Sequence, residues 1–277
     1  MNIEIKIINQ IPNYVEKYII KKINKKAPES FGPISDSEIN FVKTKVKTKF
    51  DLDINPHIIR SIKSAYMKNE IILTHYKLNQ YGSKLIKKYN LKKNVLRLSK
   101  RYGLSPMTIL RYVLESKYKK KFKDIVSNLS TIDEFDLTQI KLASKSDIYN
   151  QIDQNDVATE AAEFEKQIEQ ILIKYKIKYQ TQEELSIEQI KIHGHAINTP
   201  DFLIKSELII NNHQIKWIDA KNFYGSNINF IKKKIQKQIT KYINTYGPGL
   251  IVFKYGFNSD LKFDHTLIIS IESVDLV

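Results

Sequence analysis

Residues 199–221, TPDFLIKSELIINNHQIKWIDAK, place two carboxylates and a lysine next to runs of apolar residues. Asp201 opens the first apolar run, and Asp219 lies two residues before Lys221 in the second. The Asn211-Asn212 pair between the runs is a turn signal, so the stretch is predicted to form a β-hairpin. A carboxylate from one strand would then meet an Asp-x-Lys from the next strand at one end of a sheet.

Alternation along the second strand predicts which side chains share a face. Ile218 and Ala220 are expected on one face of the strand. The opposite face is expected to carry the odd-numbered side chains Ile215, Trp217, Asp219 and Lys221. Two hard oxygen ligands beside an ammonium group suit a magnesium ion and an activated water, which is the chemistry of phosphodiester cleavage.

An Asp-x-Lys motif is weak by itself, because the tripeptide is common and charged residues at strand ends are usually just solvated. The surroundings strengthen it here. Apolar strands flank both carboxylates, and Pro200 restricts the backbone at the entry to the first strand.

The composition predicts a folded intracellular protein. The 277 residues are enough for two domains or one large domain, and 42% hydrophobic residues with 16 Tyr and 12 Phe can fill real cores. The absence of cysteine excludes disulfide scaffolds, thiolate zinc sites and a cysteine nucleophile, and it fits a reducing compartment. No signal-peptide layout and no apolar run of membrane-spanning length are present, so we expect no membrane association.

The net charge of +15 is concentrated in the first half of the chain. Residues 1–150 hold 30 Lys and Arg against 14 Asp and Glu, which gives +16, whereas residues 151–277 hold 15 against 16, which gives −1. This asymmetry predicts a polyanion-binding domain over 1–150 and a second domain over 151–277. Only four of the 45 basic residues are Arg, and an A+T-rich genome would favour Lys, Ile and Asn without selection for nucleic acid.

Apolar spacing in the first half predicts a series of helices. Ser35 or Asp36 is a candidate cap for the second of them. Alternating lysines between 43 and 49 also suit a strand, but the apolar spacing favours a helix. The predicted helices cover Tyr14–Lys25, residues 36–50, Pro56–Met67 and residues 70–90.

Residues 94–117 carry a helix-turn-helix pattern, with Gly103 in the turn and Ser105-Pro106 starting the second helix. An ordinary αα-hairpin fits the same pattern, and the local positive charge favours nucleic-acid binding. The candidate nucleic-acid contacts in this motif are Arg101, Thr108 and Arg111. The polar stretch near Ser130–Asp156 is interpreted as a connector between the two domains.

The second half is predicted to begin with a helix over Val157–Lys174 and a strand over residues 176–180. Two histidines, His193 and His195, flank a glycine before the hairpin. They could hold a metal, but no third ligand of matching kind is near, so we interpret them as loop or substrate-contacting residues. The final strand is expected in HTLIIS, residues 265–270.

Residues 226–246 are predicted to form an amphipathic helix whose polar face is basic. The GPG that follows ends this helix, and LIVFKYGF at 250–257 indicates a buried strand. Between Asn222 and Ser259 there are six lysines and no acid, which suits either a solvated face or the positioning of a polyphosphate substrate. The candidate contacts on this helix are Lys232, Lys233, Lys237, Lys241 and Tyr242.

The order of these elements resembles the PD-(D/E)XK nuclease superfamily. Three segments carry a closer similarity to the TPD-motif nucleases, the family of the CDAN1-interacting nuclease, which is a partner of codanin: TPD at 199–201, WIDAKNFYG at 217–225 and YGPGLIVFKYGF at 246–257. This resemblance implies an α+β protein with two domains. The N-terminal region would be all-helical with helix-turn-helix units, and the C-terminal region would be an α/β, restriction-endonuclease-like PD-(D/E)XK core.

The resemblance also implies roles for the motif residues. Asp201 and Asp219 would bind a divalent metal, Mg²⁺ or Mn²⁺, and Lys221 would orient the attacking water and stabilise negative charge on the phosphate. Glu165 would be the glutamate of the preceding helix, as an additional metal ligand, with Glu163 as the alternative.

Gln238 and Tyr242 match a Gln-x-x-x-Tyr that follows the Asp-x-Lys in several of these nucleases, where the pair shapes the site or contacts DNA. Tyr242 also lies near an apolar stripe and could be a core residue. The function implied is a metal-dependent nuclease, a hydrolase for which DNA is favoured over RNA as substrate. The alternative is a catalytically silent adaptor that binds DNA or a codanin-like protein. In a cellular eukaryote the family location would be the nucleus together with the cytoplasm.

Overall fold

The structure of the chain, a computed structural model, describes residues 1–27, 29–147 and 154–274. Helices dominate the N-terminal part and most strands lie in the C-terminal part, which confirms the predicted α+β class. The predicted division of the chain at residue 150 stays a prediction. Within the described residues, no helix combines the length and the apolar composition needed to cross a bilayer.

Two compact units are present, and each is described separately. We call the first the sheet unit; it consists of residues 1–19, 45–62 and 154–277. We call the second the helical unit; it consists of residues 20–44 and 63–153.

Eleven α-helices occur in the described part of the chain. In order they are α1 (Asn13–Ile23), α2 (Asp36–Phe50), α3 (Pro56–Thr74), α4 (Lys77–Asn90), α5 (Val95–Tyr102), α6 (Pro106–Tyr118), α7 (Phe122–Val126), α8 (Glu134–Ser146), α9 (Gln154–Lys174), α10 (Gln182–His193) and α11 (Asn229–Tyr246). The helices predicted from apolar spacing are present except that residues 70–90 do not form one helix: residues 70–74 continue α3, and α4 begins at Lys77. Helix α10 was not predicted, although the capping box formed by Thr181 and Glu184 at its start is visible in the sequence.

Ten strands occur in the same described ranges. They are β1 (Asn2–Ile3), β2 (Gln10–Ile11), β3 (Tyr179–Thr181), β4 (Phe202–Ile204), β5 (Ile209–Ile210), β6 (His213–Gln214), β7 (Trp217–Lys221), β8 (Gly249–Phe253), β9 (Phe257–Asn258) and β10 (Thr266–Ser270). The strand predicted at 176–180 starts later, because Lys176 has a φ of 54° in the turn that ends α9.

The main sheet has five strands in the order β10-β8-β7-β4-β3. Strands β7, β8 and β10 are parallel, and β4 is antiparallel to both of its neighbours. Two apolar cores cover the two faces of this sheet. Helix α9 contributes Phe164, Ile168 and Leu172 to one core, and α11 contributes Ile235, Ile239 and Tyr242 to the other.

The predicted hairpin is confirmed, and it is more elaborate than the pattern indicated. Strands β4 and β7 pair in the main sheet, while β5 and β6 form an inner hairpin that joins β1 in a separate three-stranded sheet. Asn211 and Asn212 make the turn with φ values of 47° and 63°, the left-handed region that Asn tolerates best after Gly.

The predicted faces of β7 are correct except at Ile215. Trp217 belongs to the core under α11, and Ile218 and Ala220 belong to the core under α9. Ile215 was expected beside Trp217 but lies in the α9 core. The reason is a bend at Lys216, between the inner hairpin and β7, which interrupts the alternation before the strand begins.

The helical unit contains the two helices predicted in residues 94–117, joined by a short turn, an arrangement that fits both a helix-turn-helix and an αα-hairpin. Gly103 ends α5 with a φ of 63°, and the Ser105 side chain caps α6 by accepting a hydrogen bond from the Thr108 N–H. The interpretation of Ser130–Asp156 as a connector was wrong for the part that forms helix α8, which packs Ile140 and Ala143 into the core of this unit, while residues 148–153 lie outside the described residues. Polar residues on the outer face of α8 concealed its short apolar stripe.

Replacing Gly249 with Ala is expected to destabilise the sheet unit by about 2–3 kcal/mol, because a Cβ there would lie under 3.0 Å from the indole of the fully buried Trp217. The matched control is Gly32→Ala, where a Cβ would meet its nearest atoms at 3.6 and 3.7 Å. Thermal unfolding followed by circular dichroism measures both variants. Equal melting temperatures for the two proteins would contradict this packing argument.

Candidate active site

Pairing of β4 with β7 brings the first two predicted site residues together. Phe202 pairs with Ile218, so Asp201 lies at the start of β4, beside the end of β7. The backbone N–H of Ala220 donates a hydrogen bond of 2.6 Å to Oδ2 of Asp201. The Asp201 carboxylate is therefore held directly against the Asp-x-Lys segment.

Asp219, Lys221 and Gln238 form one polar network on the α11 side of the sheet. Asp219 is 1% exposed and forms an ion pair with the ammonium group of Lys221. The Gln238 side chain bridges these two residues, because its Nε2 donates to Asp219 Oδ1 at 3.1 Å and its Oε1 accepts from Lys221 Nζ at 3.1 Å. A single glutamine thus fixes both the carboxylate and the amine.

Tyr242 extends this network toward the TPD segment. Its hydroxyl accepts a hydrogen bond of 2.9 Å from Gln238 Nε2 and donates one of 3.3 Å to the carbonyl of Thr199. Its ring packs against Trp217 with centroids 5.3 Å apart, and the residue is 6% exposed. The structure thus places Tyr242 in the core as a support for the site.

Glu165 approaches the site from α9 and is only partly exposed. Burial raises the pKa of Glu165, and the nearby charge of Asp219 raises it further, while Lys221 lowers it. Glu163 is exposed on the same helix. Glu165 therefore interacts electrostatically with the Asp-x-Lys residues.

The carboxylates of the site disfavour one another's charge. Burial and the neighbouring charge of Asp219 raise the pKa of Asp201 to about 7, against the opposing effects of the Ala220 N–H and Lys221. Burial also raises the pKa of Asp219, which Lys221 counteracts. Buried, mutually repelling carboxylates are typical of sites that bind a cation or do acid–base chemistry.

The donor set suits a hard divalent cation of the magnesium type. In the described part of the chain, no group of three or more His, Cys, Asp or Glu side chains is arranged to hold a metal ion. Mg²⁺, however, is usually bound through one or two carboxylates, with waters and substrate phosphates as the other ligands. Asp201 and Asp219 offer such a pair of carboxylates, so the residues present fit this ion.

Comparison with known proteins places this arrangement in a family. Residues 133–273 match the model of a family described as "Protein of unknown function TPD sequence-motif". The chain belongs to the TPD sequence-motif family. Within this family match lie the TPD segment itself, at residues 199–201, and all the residues of the site described above.

The proteins similar to this chain include an uncharacterized protein and several proteins named CDAN1-interacting nuclease 1. An uncharacterized protein of Acanthamoeba polyphaga mimivirus is 32% identical over 118 residues, which is 41% of this chain and 41% of that protein. CDAN1-interacting nuclease 1 of Xenopus laevis is 30% identical over 92 residues, 33% of this chain and 30% of the relative. The Homo sapiens protein of the same name is 31% identical over 77 residues, 28% of this chain and 27% of the relative.

The matched segments thus span less than half the length of these curated relatives. No solved structure matches the chain. The TPD-family assignment therefore rests on sequence, and the geometry of the site is described for this chain alone.

The remaining sequence-predicted residues of this TPD-family chain lie outside the network. In the helical unit, Arg101 and Arg111 are exposed on α5 and α6, and their guanidinium groups lie 5.8 Å from the Tyr102 ring and 5.5 Å from the Phe122 ring. Thr108 is partly exposed in the first turn of α6. Their role in nucleic-acid binding stays a prediction.

On α11, the lysines Lys233, Lys237 and Lys241 recur every four residues and are exposed, while Lys232 is partly exposed. They line one side of the helix that carries Gln238. His193 and His195 are exposed around the turn that ends α10, and the Nδ1 of His195 lies 3.1 Å from the carbonyl of His193. The histidines thus form a local turn contact with each other.

Glu16 is a supporting residue that sequence reasoning missed. It is 2% exposed, and its carboxylate accepts hydrogen bonds from the Tyr224 hydroxyl at 3.0 Å, the Ser226 hydroxyl at 3.0 Å and the Asn258 amide at 2.9 Å. Tyr224 and Ser226 belong to the loop that follows Lys221, so Glu16 anchors the chain as it leaves the site. The sequence did contain a signal that Glu16 is buried, because Glu16 lies three residues before Ile19 and therefore on the apolar side of α1.

Proposed function

We propose that this chain is a metal-dependent nuclease that hydrolyses phosphodiester bonds in nucleic acid, with DNA favoured over RNA. The observation that carries the proposal is the network of Asp201, Asp219, Lys221 and Gln238 at the end of two adjacent strands. The name that several relatives share, CDAN1-interacting nuclease 1, supports the same activity. The basic charge of the chain suits a polyanionic substrate.

Asp201 and Asp219 would hold Mg²⁺ or Mn²⁺, together with the carbonyl of Ala220, and Glu165 would act as an outer ligand. When bound, such an ion lowers the pKa of a coordinated water and offsets charge that develops on the phosphate. The raised pKa values of Asp201 and Glu165 are consistent with this assignment, because a cation would relieve the repulsion among these carboxylates.

Lys221 would position the attacking water and stabilise negative charge on the phosphate, since its side chain is only 13% exposed and its ammonium group is held within the site by Asp219 and Gln238. Gln238 has a positioning role. Its amide holds the Lys221 amine and the Asp219 carboxylate at the same time, so the two groups keep one relative orientation before substrate arrives. Such preorganisation lowers the cost of reaching the transition state.

The exposed lysines of α11 would bind the phosphodiester backbone next to the site. Lys233, Lys237 and Lys241 are spaced one helical turn apart, which suits successive phosphates along a strand. Binding through lysines releases counterions, so affinity should fall as the salt concentration rises. In the helical unit, Arg101, Thr108 and Arg111 would add further backbone contacts.

Cleavage of a panel of nucleic acids tests the proposal. Single-stranded, duplex, flap and junction forms of DNA and RNA are incubated with the chain and with Mg²⁺ or Mn²⁺. We expect metal-dependent cleavage by the native protein, reduced by at least about 1,000-fold in the Asp219→Ala and Lys221→Ala proteins, as for other residues that act as a catalytic unit. Lys205→Ala is the matched control, because Lys205 is exposed at the end of β4, away from the network.

An absence of cleavage across the whole panel, with every variant folded, would overturn the nuclease assignment. The relatives' name then favours a second function, an adaptor that binds a codanin-like protein without catalysis. Pull-down of purified codanin by the full chain, with the Asp219→Ala protein binding equally well, would support the adaptor. For either function we propose that the protein is located in the nucleus together with the cytoplasm when it comes from a cellular eukaryote.

A further inference from the structure

A pair of stacked aromatic rings lies in the sheet unit, outside the polar network of the site. The ring of His57, at the start of α3, stacks on the ring of Tyr255, in the turn after β8. The ring centroids are 4.5 Å apart and the planes are inclined by 8°. His57 is exposed and Tyr255 is partly exposed, so the stack ends at the protein surface.

The backbone that carries each ring is held in place by local contacts. Asn55 caps α3, since its Oδ1 accepts a hydrogen bond of 2.9 Å from the His57 N–H and its carbonyl accepts one of 3.0 Å from the Ile58 N–H. After Tyr255 the chain turns at Gly256, which has a φ of 74° and lies so close to the Asn9 carbonyl that no Cβ fits. The stack is therefore preorganised, which keeps the entropic cost of binding a flat ligand low.

The stack adjoins the proposed active site through β8. Lys221 pairs with Phe253, and the N–H of the next residue, Lys254, donates a hydrogen bond of 3.0 Å to the Lys221 carbonyl. Tyr255 follows directly. From the α3 side, the hydroxyl of Ser61 accepts a hydrogen bond of 3.2 Å from the N–H of Tyr224, three residues beyond Lys221.

Charged groups of both signs lie beside the rings. Burial and the charge of Glu160 raise the pKa of Tyr255, and two cations also border the stack. The ammonium group of Lys254 lies 5.6 Å from the centre of the Tyr255 ring and 5.7 Å from the centre of the Phe164 ring, whose neighbour in the chain is Glu165. Arg60 is exposed one turn after His57, on the same side of α3. Exposed aromatic faces bordered by cations are the combination by which proteins bind single-stranded nucleic acid.

We propose that His57 and Tyr255 form a stacking platform for an unpaired base of the nucleic-acid strand that is cleaved at the neighbouring site. The base extends the two-ring stack, while Lys254 and Arg60 contact the phosphates on either side of it. An unpaired base is required because the bases of an intact duplex already stack on each other and present no free face. This inference rests on the proposed nuclease function and adds to it the kind of strand that the site accepts.

The test measures binding and stacking with metal left out, so that no cleavage takes place. A single-stranded oligonucleotide that contains 2-aminopurine is titrated with the full chain, because the fluorescence of this base is quenched when it stacks. For the native protein we expect quenching on binding. For the His57→Ala and Tyr255→Ala proteins we expect the quenching to disappear and affinity to fall about ten-fold, within the range known for loss of one base–aromatic stack.

Three controls separate stacking from other effects. Tyr255→Phe keeps the ring and should bind like the native protein, and Tyr14→Ala removes an exposed tyrosine of the same unit elsewhere on the surface. An oligonucleotide of abasic residues keeps the phosphates but has no bases. It should bind the native protein and the Tyr255→Ala protein equally, since there is no base left to stack.

The outcomes distinguish this inference from the function on which it rests. If the native chain cleaves nucleic acid but His57→Ala and Tyr255→Ala bind and quench as it does, the platform is wrong and the nuclease stands. If the native chain cleaves only intact duplex and binds no single strand, the platform is again wrong. If the chain neither binds nor cleaves any nucleic acid, both proposals are wrong. Should Tyr255→Ala fail to fold, the exposed His57→Ala variant decides.

Discussion

The Asp201→Asn protein is expected to lose metal-dependent cleavage by at least about 1,000-fold, while its metal-free form becomes more stable than the native protein. Activity falls because one of the two proposed carboxylate ligands is replaced by a neutral amide. The backbone contact can survive, because the amide oxygen of asparagine can still accept the hydrogen bond that the Ala220 N–H now donates to Oδ2 of Asp201.

Stability rises because a repulsive charge is removed. Burial and the charge of Asp219 raise the pKa of Asp201 from 3.8 to about 7 in the folded, metal-free protein. A shift of this size corresponds to about 4 kcal/mol as an upper bound, and we expect a gain of about 2–4 kcal/mol in the free energy of unfolding at pH 8.

The gain depends on pH in a defined direction. Between pH 3.8 and about 7 the folded protein retains a proton on Asp201 that the unfolded chain has released. The free energy of unfolding contributed by Asp201 therefore decreases as pH rises through this window and is constant above it. The Asp201→Asn protein lacks this contribution, so its advantage grows from pH 4 to 7 and then levels off.

Urea unfolding in the presence of EDTA measures this effect. The chain has a single tryptophan, Trp217, which is buried in the sheet unit, so its fluorescence reports the unfolding of that unit. Asp264→Asn, at an exposed aspartate, is the control and should change stability by less than about 0.5 kcal/mol. Retained cleavage by the Asp201→Asn protein, or a loss of stability in its metal-free form, would contradict the assignment of Asp201 as a strained ligand.

Replacement of Glu16 by alanine is expected to lower the free energy of unfolding by about 3–5 kcal/mol. The Tyr224 and Ser226 hydroxyls, the Asn227 N–H and the Asn258 amide would each lose an acceptor in a buried setting. Burial raises the pKa of Glu16, so removal of its charge offsets part of this loss. The loss exceeds this gain, because each of the four donors left without an acceptor costs about 1–3 kcal/mol.

Glu163→Ala is the matched control, because Glu163 is an exposed glutamate of the same unit and should contribute less than about 0.5 kcal/mol. Unfolding is again followed by Trp217 fluorescence. Cleavage by the Glu16→Ala protein should also weaken, since the loop that follows Lys221 loses its anchor. A change below 1 kcal/mol would mean that solvent reaches these donors and that the network contributes little to the fold.

The parts of the molecule that the sequence predicted are those set by local chemistry. The Asn211-Asn212 turn, the Ser105 cap and the left-handed Gly103 follow from conformational preferences of single residues. The proximity of Asp201 to Asp219 follows from hairpin pairing, and the Gln238–Tyr242 contact follows from helical spacing. Local rules failed at Ile215, where a bend between two sheets reverses the side-chain direction.

The parts that the sequence could not predict depend on segments that are far apart in the chain. Glu16 contacts residues more than 200 positions away, and His57 stacks on a ring almost as distant. No periodicity in the sequence around Glu16 or His57 indicates which distant residue each of them contacts. Helix α8 was missed for a different reason: its stripe is short and its first turn is acidic, so it has the composition of a linker.

Strands near the N-terminus pair with strands about 200 or more residues later in the chain, and this limits how early the sheet unit can fold during synthesis. Asn2 pairs with Ile209 and Gln10 pairs with Phe257, so the N-terminal strands emerge from the ribosome long before their partners exist. At about 5–20 residues per second, the N-terminal segment waits on the order of ten seconds or more for strand β9. The sheet unit therefore cannot complete its fold until residues 257 and 258 have been synthesised, because they form the strand that pairs with Gln10 and Ile11.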